Sequence, residues 1–351
     1  MDPLKKSNAE VLTLKTNGVG VVTLNAPARL NALTLKMLTT IDAFLRDCER
    51  DPKISVVLLE GAGERGFCAG GDVKKLALET RSQGITYGRH FFEVEYRCDH
   101  LVHLLKKPRL ALCHGVTLGG GIGLMNGASH RVVCENTTMA MPEISIGLFP
   151  DVGGSYFLSR LPGRIGLFLG LTGARWNASD ALAMGFADFA VATGSLTQLR
   201  ERVLSEKWSG SPSNDTERLS RIVGEFSTPT AQLPLPQVLP RQATLDELCA
   251  GSTLYELDQR FRKELSRAEN DPASDPWITH ALKTYAAGSP HSAQVTFEQI
   301  KKGARLSLAQ CFEMELELST LCMGHPDFFE GVRARLIDKD GTPKWAASDR
   351  G

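Results

Sequence analysis

Residues Leu110–Asn126 read LALCHGVTLGGGIGLMN. The run Leu110 to His114 has the length and apolar composition of a buried strand, and within and after the triplet Gly119-Gly120-Gly121 the residues Gly120 to Asn126 read as a short helix. Arg131 to Cys134 returns to strand character. The same alternation holds on the N-terminal side. Val11 to Leu14 and Val19 to Leu24 are β-branched runs joined by Thr16-Asn17-Gly18, the chemistry of a hairpin turn. Leu35, Leu38, Ile41, Leu45 and Cys48 fall at spacings of three and four and predict a helix, Ile54 to Leu59 predicts a strand, and Phe91 to Leu105 predicts a helix. Strand and helix in turn make an α/β body.

After about residue 195 the strand signals fade, and Pro229, Pro234, Pro236 and Pro240 break the chain into an extended connector. The expected organisation is a core over residues 1–225, a Pro-rich connector over 226–242 and a helical C-terminal region over 243–351. Within the last, Leu245 to Cys249, Thr253 to Ala268, Trp277 to Tyr285, Ala293 to Lys301 and Leu308 to Cys322 favour helix. Leu308, Cys311, Phe312 and Leu316 form one stripe of the last helix and Met314, Leu318 and Leu321 another, which predicts burial on two sides.

Among the 351 residues, 40 Lys and Arg balance 40 Asp and Glu, so no global field attracts nucleic acid or an anionic membrane. The eight cysteines contain no CxxC pair and several sit in apolar stretches, the pattern of reduced, buried thiols inside a cell. The eight histidines form no HExxH, so no metal site is expected. No apolar stretch is long enough to span a bilayer, and Met1-Asp2-Pro3-Leu4-Lys5-Lys6 resembles neither a secretory signal nor an Arg-rich presequence. The expectation is a soluble, intracellular protein.

Three stretches carry chemistry. Gly66-Phe67-Cys68-Ala69-Gly70-Gly71-Asp72 and Gly119-Gly120-Gly121-Ile122-Gly123-Leu124 are loops in which missing Cβ atoms let backbone N–H groups face a ligand. Together they suit an oxyanion receptor; singly, each also suits tight packing. Met141-Pro142-Glu143 through Phe149-Pro150-Asp151-Val152-Gly153-Gly154 brings two carboxylates eight residues apart between prolines and glycines. They are candidates for acid–base work. The plain structural alternative makes Glu143 a first-turn helix residue and Asp151 a helix cap.

Asn31-Ala32-Leu33, Phe67 to Asp72, His114-Gly115 before the triplet, and Pro142-Glu143 with Ile146-Gly147 together resemble the enoyl-CoA hydratase/isomerase (crotonase) superfamily. With Phe149 to Gly154, Phe329-Glu330-Gly331-Val332-Arg333-Ala334, Ile337-Asp338-Lys339-Asp340 and Pro343-Lys344-Trp345, the chain is similar to the 3-hydroxyisobutyryl-CoA hydrolase branch from about residue 11 to 346. The resemblance implies a spiral of repeated ββα units, with the helical C-terminal region covering the active site. It implies that the N–H groups of Gly71 and Gly120 bind the thioester oxygen. Glu143 then delivers water as base or attacks as nucleophile, two routes the sequence leaves open. Asp151 orients the water or protonates the leaving thiolate, and Glu95 meets the substrate hydroxyl.

Hydratases of the superfamily carry a second glutamate where this chain has Gly123, so hydration is disfavoured. Arg29 stands for the coenzyme's phosphates, one position from the usual cation, and the backbone of Cys68, Ala69 and Gly70 for its adenine. The implied reaction is hydrolysis of 3-hydroxyisobutyryl-CoA in valine breakdown, with coenzyme A part of the substrate and no other cofactor. The compartment is the mitochondrial matrix by pathway, or the cytoplasm in a prokaryote. A homo-oligomer is open, since superfamily members form trimers and hexamers. The alternatives are an enoyl-CoA hydratase or isomerase, and a CoA- or RNA-binding scaffold without chemistry.

Overall fold

A computed structural model describes residues 9–346. The strands are β1 (Val11–Thr16), β2 (Val19–Leu24), β3 (Val56–Gly61), β4 (Arg109–Cys113), β5 (Val116–Leu118), β6 (His130–Val133), β7 (Thr138–Ala140), β8 (Trp176–Asn177) and β9 (Phe189–Ala190). Six form one sheet in the order β1-β2-β3-β4-β6-β9, and β5-β7-β8 form a second, smaller one. β1 and β2 are an antiparallel hairpin turned through Asn17 (φ 47°) and Gly18 (φ 80°), and every later pair in the large sheet is parallel. Both positive φ angles belong to the twisted two-residue turn that the Asn-Gly dipeptide favours.

Parallel strands are covered on both faces, which explains why β3 and β4 read as unbroken apolar runs rather than alternating ones. Val21, Leu58, Leu110, Leu112 and Val132 pack with Leu199 and Val203 of helix Leu196–Ser205 and with Leu219, Ile222 and Val223 of helix Pro212–Gly224. Helix Leu35–Arg50 is capped by Thr34, whose side chain accepts from the Met37 N–H at 3.2 Å, and buries Met37, Leu38, Ile41, Leu45 and Cys48. That is the stripe its spacing predicts.

The chain forms two compact units, each assembled from separated segments. Among the described residues, one holds 9–71, 94–139 and 177–236; the other holds 72–93, 140–176 and 237–346. Residues 243–346 therefore fall in the same unit as the segment that carries Glu143 and Asp151, and the helix Ile85–Leu104 divides between the two units after Glu93. In the second unit the helices pack through aromatic contacts. Phe261 meets Tyr285 edge-on at 4.9 Å and Phe168 at 5.9 Å, and Trp277 stacks on Phe168.

Proline separations leave short 3₁₀ turns at Thr230–Gln232 and Leu239–Arg241 in the connector. All eight cysteines are buried and free. One stripe departs from expectation. In helix Leu308–Gly324 the buried residues are Cys311, Phe312, Glu315, Ser319, Cys322 and Met323, while Leu321 is 65% exposed. A carboxylate and a hydroxyl are buried among them: Glu315 accepts from the N–H groups of a backbone turn, Gly153 and Ser155, and the Ser319 hydroxyl donates to the Leu316 carbonyl of its own helix. Among the described residues no helix is long and apolar enough to cross a membrane.

Candidate active site

In the first unit the two glycine loops converge. The loop before Gly71 is pinned from several sides. Leu33 N–H donates to Gly70 O at 2.8 Å, Ala69 N–H to Leu30 O at 2.9 Å, and Leu118 N–H to Cys68 O at 2.9 Å. Asn31, fully buried, holds the turn leading into it through Nδ2 donations to the carbonyls of Gly66 and Phe67, each at 3.1 Å.

Gly70 adopts φ +92°, and a Cβ there would lie 3.2 Å from Gly120 N. A side chain would both strain the backbone and cover the amide. Gly120 opens helix Gly120–Asn126, and its own Cβ position lies 3.4 Å from Gly71 N and 2.5 Å from a Glu95 carboxylate oxygen. So Gly71, Gly120 and Glu95 meet in one place. Among the described residues neither the Gly71 nor the Gly120 N–H is taken by a turn, loop or cap hydrogen bond. Glu95 is 2% exposed, so its carboxylate is buried at this place rather than solvated on the helix face.

The neighbouring assignments are less uniform. The N–H groups of Cys68, Ala69 and Gly70 are all engaged within the chain, the last with the Cys68 sulfur at 3.4 Å, so the backbone of these three residues can meet a ligand only through its carbonyls. Burial pushes the Cys68 thiol up to about 12, which leaves it a packed, protonated filler rather than a nucleophile. Arg29 lies in the 3₁₀ turn Pro27–Arg29 and pairs with Glu10 at 2.5 Å. Beside it Pro27, Ala28, Leu30, Ala62, Glu64, Arg65 and Gly66 line a depression of about 240 Å³. Arg65, and not Arg29, is the basic residue in that lining, with Glu64 beside it. The sequence reading overlooked it, although it sits one residue before the glycine loop.

In the second unit Glu143 begins the 3₁₀ turn Glu143–Ile146, and Asp151 precedes the left-handed pair Val152 (φ 52°) and Gly153 (φ 89°). The carboxylates are 6% and 7% exposed. Asp151 is not a side-chain cap: helix Gly154–Leu158 has Gly153 at its cap position and no side-chain cap bond, and the Asp151 carbonyl accepts from Gly154 N–H at 2.7 Å.

The turn is held instead by two side chains absent from the sequence reading. Glu315 accepts from Gly153 N–H at 2.8 Å through one oxygen and from Ser155 N–H at 2.9 Å through the other. Gln299 donates to Pro150 O at 2.8 Å and accepts from the Ser155 hydroxyl at 3.1 Å. Burial, with the Asp151 charge adding to it, raises the Glu315 carboxyl to about 8 against the opposing pull of those N–H donors. No group of His, Cys, Asp and Glu side chains able to hold a metal ion occurs among the described residues.

The sequence pattern of the enoyl-CoA hydratase/isomerase family matches residues 19–350. The chain belongs to that family. Its relatives include the zebrafish (Danio rerio) "3-hydroxyisobutyryl-CoA hydrolase, mitochondrial", 41% identical over 98% of this chain and 86% of the relative. The human (Homo sapiens) protein of the same name is 38% identical over 97% and 85%. A solved enoyl-CoA hydratase from Rhodobacter sphaeroides 2.4.1 superposes with a TM-score of 0.83 at 35% identity, over 97% of this chain and 93% of that one. A solved carnitinyl-CoA dehydratase from Mycobacterium thermoresistibile gives 0.84 at 33% identity, over 96% and 92%. The fold is thus that of the enoyl-CoA hydratase/isomerase family, a mixed α/β body with a helical C-terminal region, as the sequence reading expects.

Proposed function

We propose that this family member hydrolyses acyl-CoA thioesters, with 3-hydroxyisobutyryl-CoA as substrate, to the free hydroxy acid and coenzyme A. The observation that carries the reading is its inventory of carboxylates. Glu143 and Asp151 are both buried on one glycine-proline stretch, while position 123, in the helix behind the amide pair, is a glycine. A hydratase needs a second carboxylate at that helix, and this chain has none there. The names of the relatives at 38–41% identity support the hydrolase. The solved hydratase and dehydratase support the rival chemistry by title, and the missing carboxylate weighs against it.

On this reading the thioester oxygen is received by the Gly71 and Gly120 N–H groups. One such preorganised donor is worth about 3 to 4 kcal/mol to the developing oxyanion. A water oxygen bonds to the acyl carbon, the C–S bond breaks and coenzyme A leaves as its thiol. Glu143 takes the proton from the attacking water, or attacks first and is released by water afterwards; both routes give the same products. Asp151 orients that water or returns a proton to sulfur. Glu95, beside Gly120, takes the substrate hydroxyl, which gives the site a reason to keep a buried carboxylate there. Arg29 and Arg65 are the candidate phosphate cations, the coenzyme serves as part of the substrate, and the reaction uses no further cofactor. The setting is valine breakdown, in the mitochondrial compartment that the relatives' names carry.

Thiol release from 3-hydroxyisobutyryl-CoA, measured beside hydration of an unsaturated acyl-CoA, tests the proposal. The native chain is expected to release thiol, and Glu143→Gln and Asp151→Asn to lose that release. Hydration without thiol release establishes the rival enzyme, and an inert native chain that still binds CoA establishes a scaffold.

A further inference from the structure

The turn that bears Asp151 is built from backbone in its least self-sufficient form. It includes a valine at φ 52°, a glycine at φ 89°, and a following helix of only five residues with no side-chain cap. Such a segment does not hold its own shape. Yet four of its polar groups are satisfied from outside, all by two buried side chains. Gln299 (1% exposed) reaches it from helix Pro290–Gly303, and Glu315 (0% exposed) from helix Leu308–Gly324. Gln299 meets Pro150 O on one side of Asp151, and Glu315 meets Gly153 and Ser155 N–H on the other. The Ser155 hydroxyl donates to Gln299 Oε1, so the two clamps share a residue.

The approach is close. Gly303 lies against the Ser155 carbonyl so tightly that a Cβ would collide with it, and Leu308 and Phe312 reach 3.5 Å from the Cβ position of Gly153. Burying a carboxylate is costly, and a chain that needed only packing here would place an apolar residue on this helix face. The donor pair on Glu315 gives the acid a purpose.

We infer that Glu315 and Gln299 are positioning residues for the thioester hydrolysis, fixing the Pro150–Ser155 turn so that the Asp151 carboxylate is presented in one orientation. The inference rests on the proposed role of Asp151. Glu315→Gln keeps the size of the side chain but turns an acceptor into an amide donor facing one of two N–H groups. Gln299→Met keeps the length and removes both hydrogen bonds.

The experiment uses the full chain with two readouts. In thiol-release kinetics on 3-hydroxyisobutyryl-CoA, each variant is expected to lose about 100-fold in kcat, the scale of a misplaced catalytic group, with KM within about 3-fold. A purely structural role would leave the surviving folded enzyme with native kcat. In hydrogen exchange, the Gly153 and Ser155 amides are expected to exchange at least about 10-fold faster in Glu315→Gln, while β3 and β4 keep native protection.

Native kcat in both variants, or unchanged exchange at those two amides, overturns the inference. If the native chain releases no thiol, the hydrolase reading fails by itself. The exchange readout then still decides whether these side chains hold the turn, and Gln299→Met covers the case in which Glu315→Gln does not fold.

Discussion

In the first unit the candidate chemistry is made of backbone. Gly71 and Gly120 offer N–H groups, Gly70 keeps its φ of +92° so that no Cβ covers the second of them, and main-chain hydrogen bonds from Leu33, Ala69 and Leu118 lock the loop. In the second unit the candidate chemistry is made of side chains, Glu143 and Asp151, and the Asp151 turn is held by further side chains some 150 residues distant in sequence, Gln299 and Glu315. The first arrangement is specified by what its residues lack and the second by what distant residues supply. A hole for an oxygen anion needs only amides in fixed positions, which a locally rigid backbone provides. A proton-handling acid needs a defined orientation, which a short irregular turn cannot supply alone.

The largest expected effect separates chemistry from support. Glu143→Gln should lower thiol release by about 10³- to 10⁴-fold while thermal unfolding stays close to native. A variant with native rate would remove the second unit from the reaction. Next, Gly120→Ala places a methyl 2.5 Å from Glu95 and 3.4 Å from Gly71 N. A loss of about 10²- to 10³-fold in kcat is expected, and turnover near native would show that the first unit's amides do not carry the oxyanion.

Gly153→Ala sharpens the contrast, because its new Cβ finds only ordinary contacts at 3.5 Å or more but sits at φ +89°. Stability should fall by about 1–2 kcal/mol, read by denaturant unfolding. An unchanged midpoint would mean that the clamped turn tolerates L-residue strain.

The smallest effect is one of pH. Glu315 is raised from 4.5 to about 8 in the folded chain, by burial first and by Asp151 among the smaller causes. The folded state therefore binds its proton more tightly than the unfolded state does. Its contribution to stability is complete below about 4.5 and declines as pH rises through about 8. The stability of the native chain relative to Glu315→Gln should accordingly drop between pH 5 and pH 8, and a constant difference across that range would show that the carboxyl is ionised throughout.

Much of the first unit is legible in the sequence. Asn17-Gly18 announces the hairpin, the Leu35 to Cys48 spacing announces its helix, and Gly70 and the 119–121 triplet announce close backbone approach, since glycine is nearly the only residue that leaves such a trace. Glu95 is legible only through the family resemblance: its neighbours in sequence, Glu93 and Arg97, are surface-like, and only its 2% exposure beside Gly120 sets it apart. Glu315 was hidden by the leucines around it. A stripe search selects Leu316, Leu318 and Leu321 and skips the acid, although Cys311, Ser319 and Cys322 lie on its helix face and could have marked that face as buried.

What the sequence determined alone is the set of local preferences. It places hydrophobic periods that form strands and helices, glycines where no side chain fits, and acids between prolines where the chain cannot be regular, and these suffice for the family and its fold. Which helix face a carboxylate turns inward, and which backbone turn it satisfies once there, was decided by tertiary structure. The partners of a buried polar group are chosen by distance in space, and no short-range pattern along the chain records it.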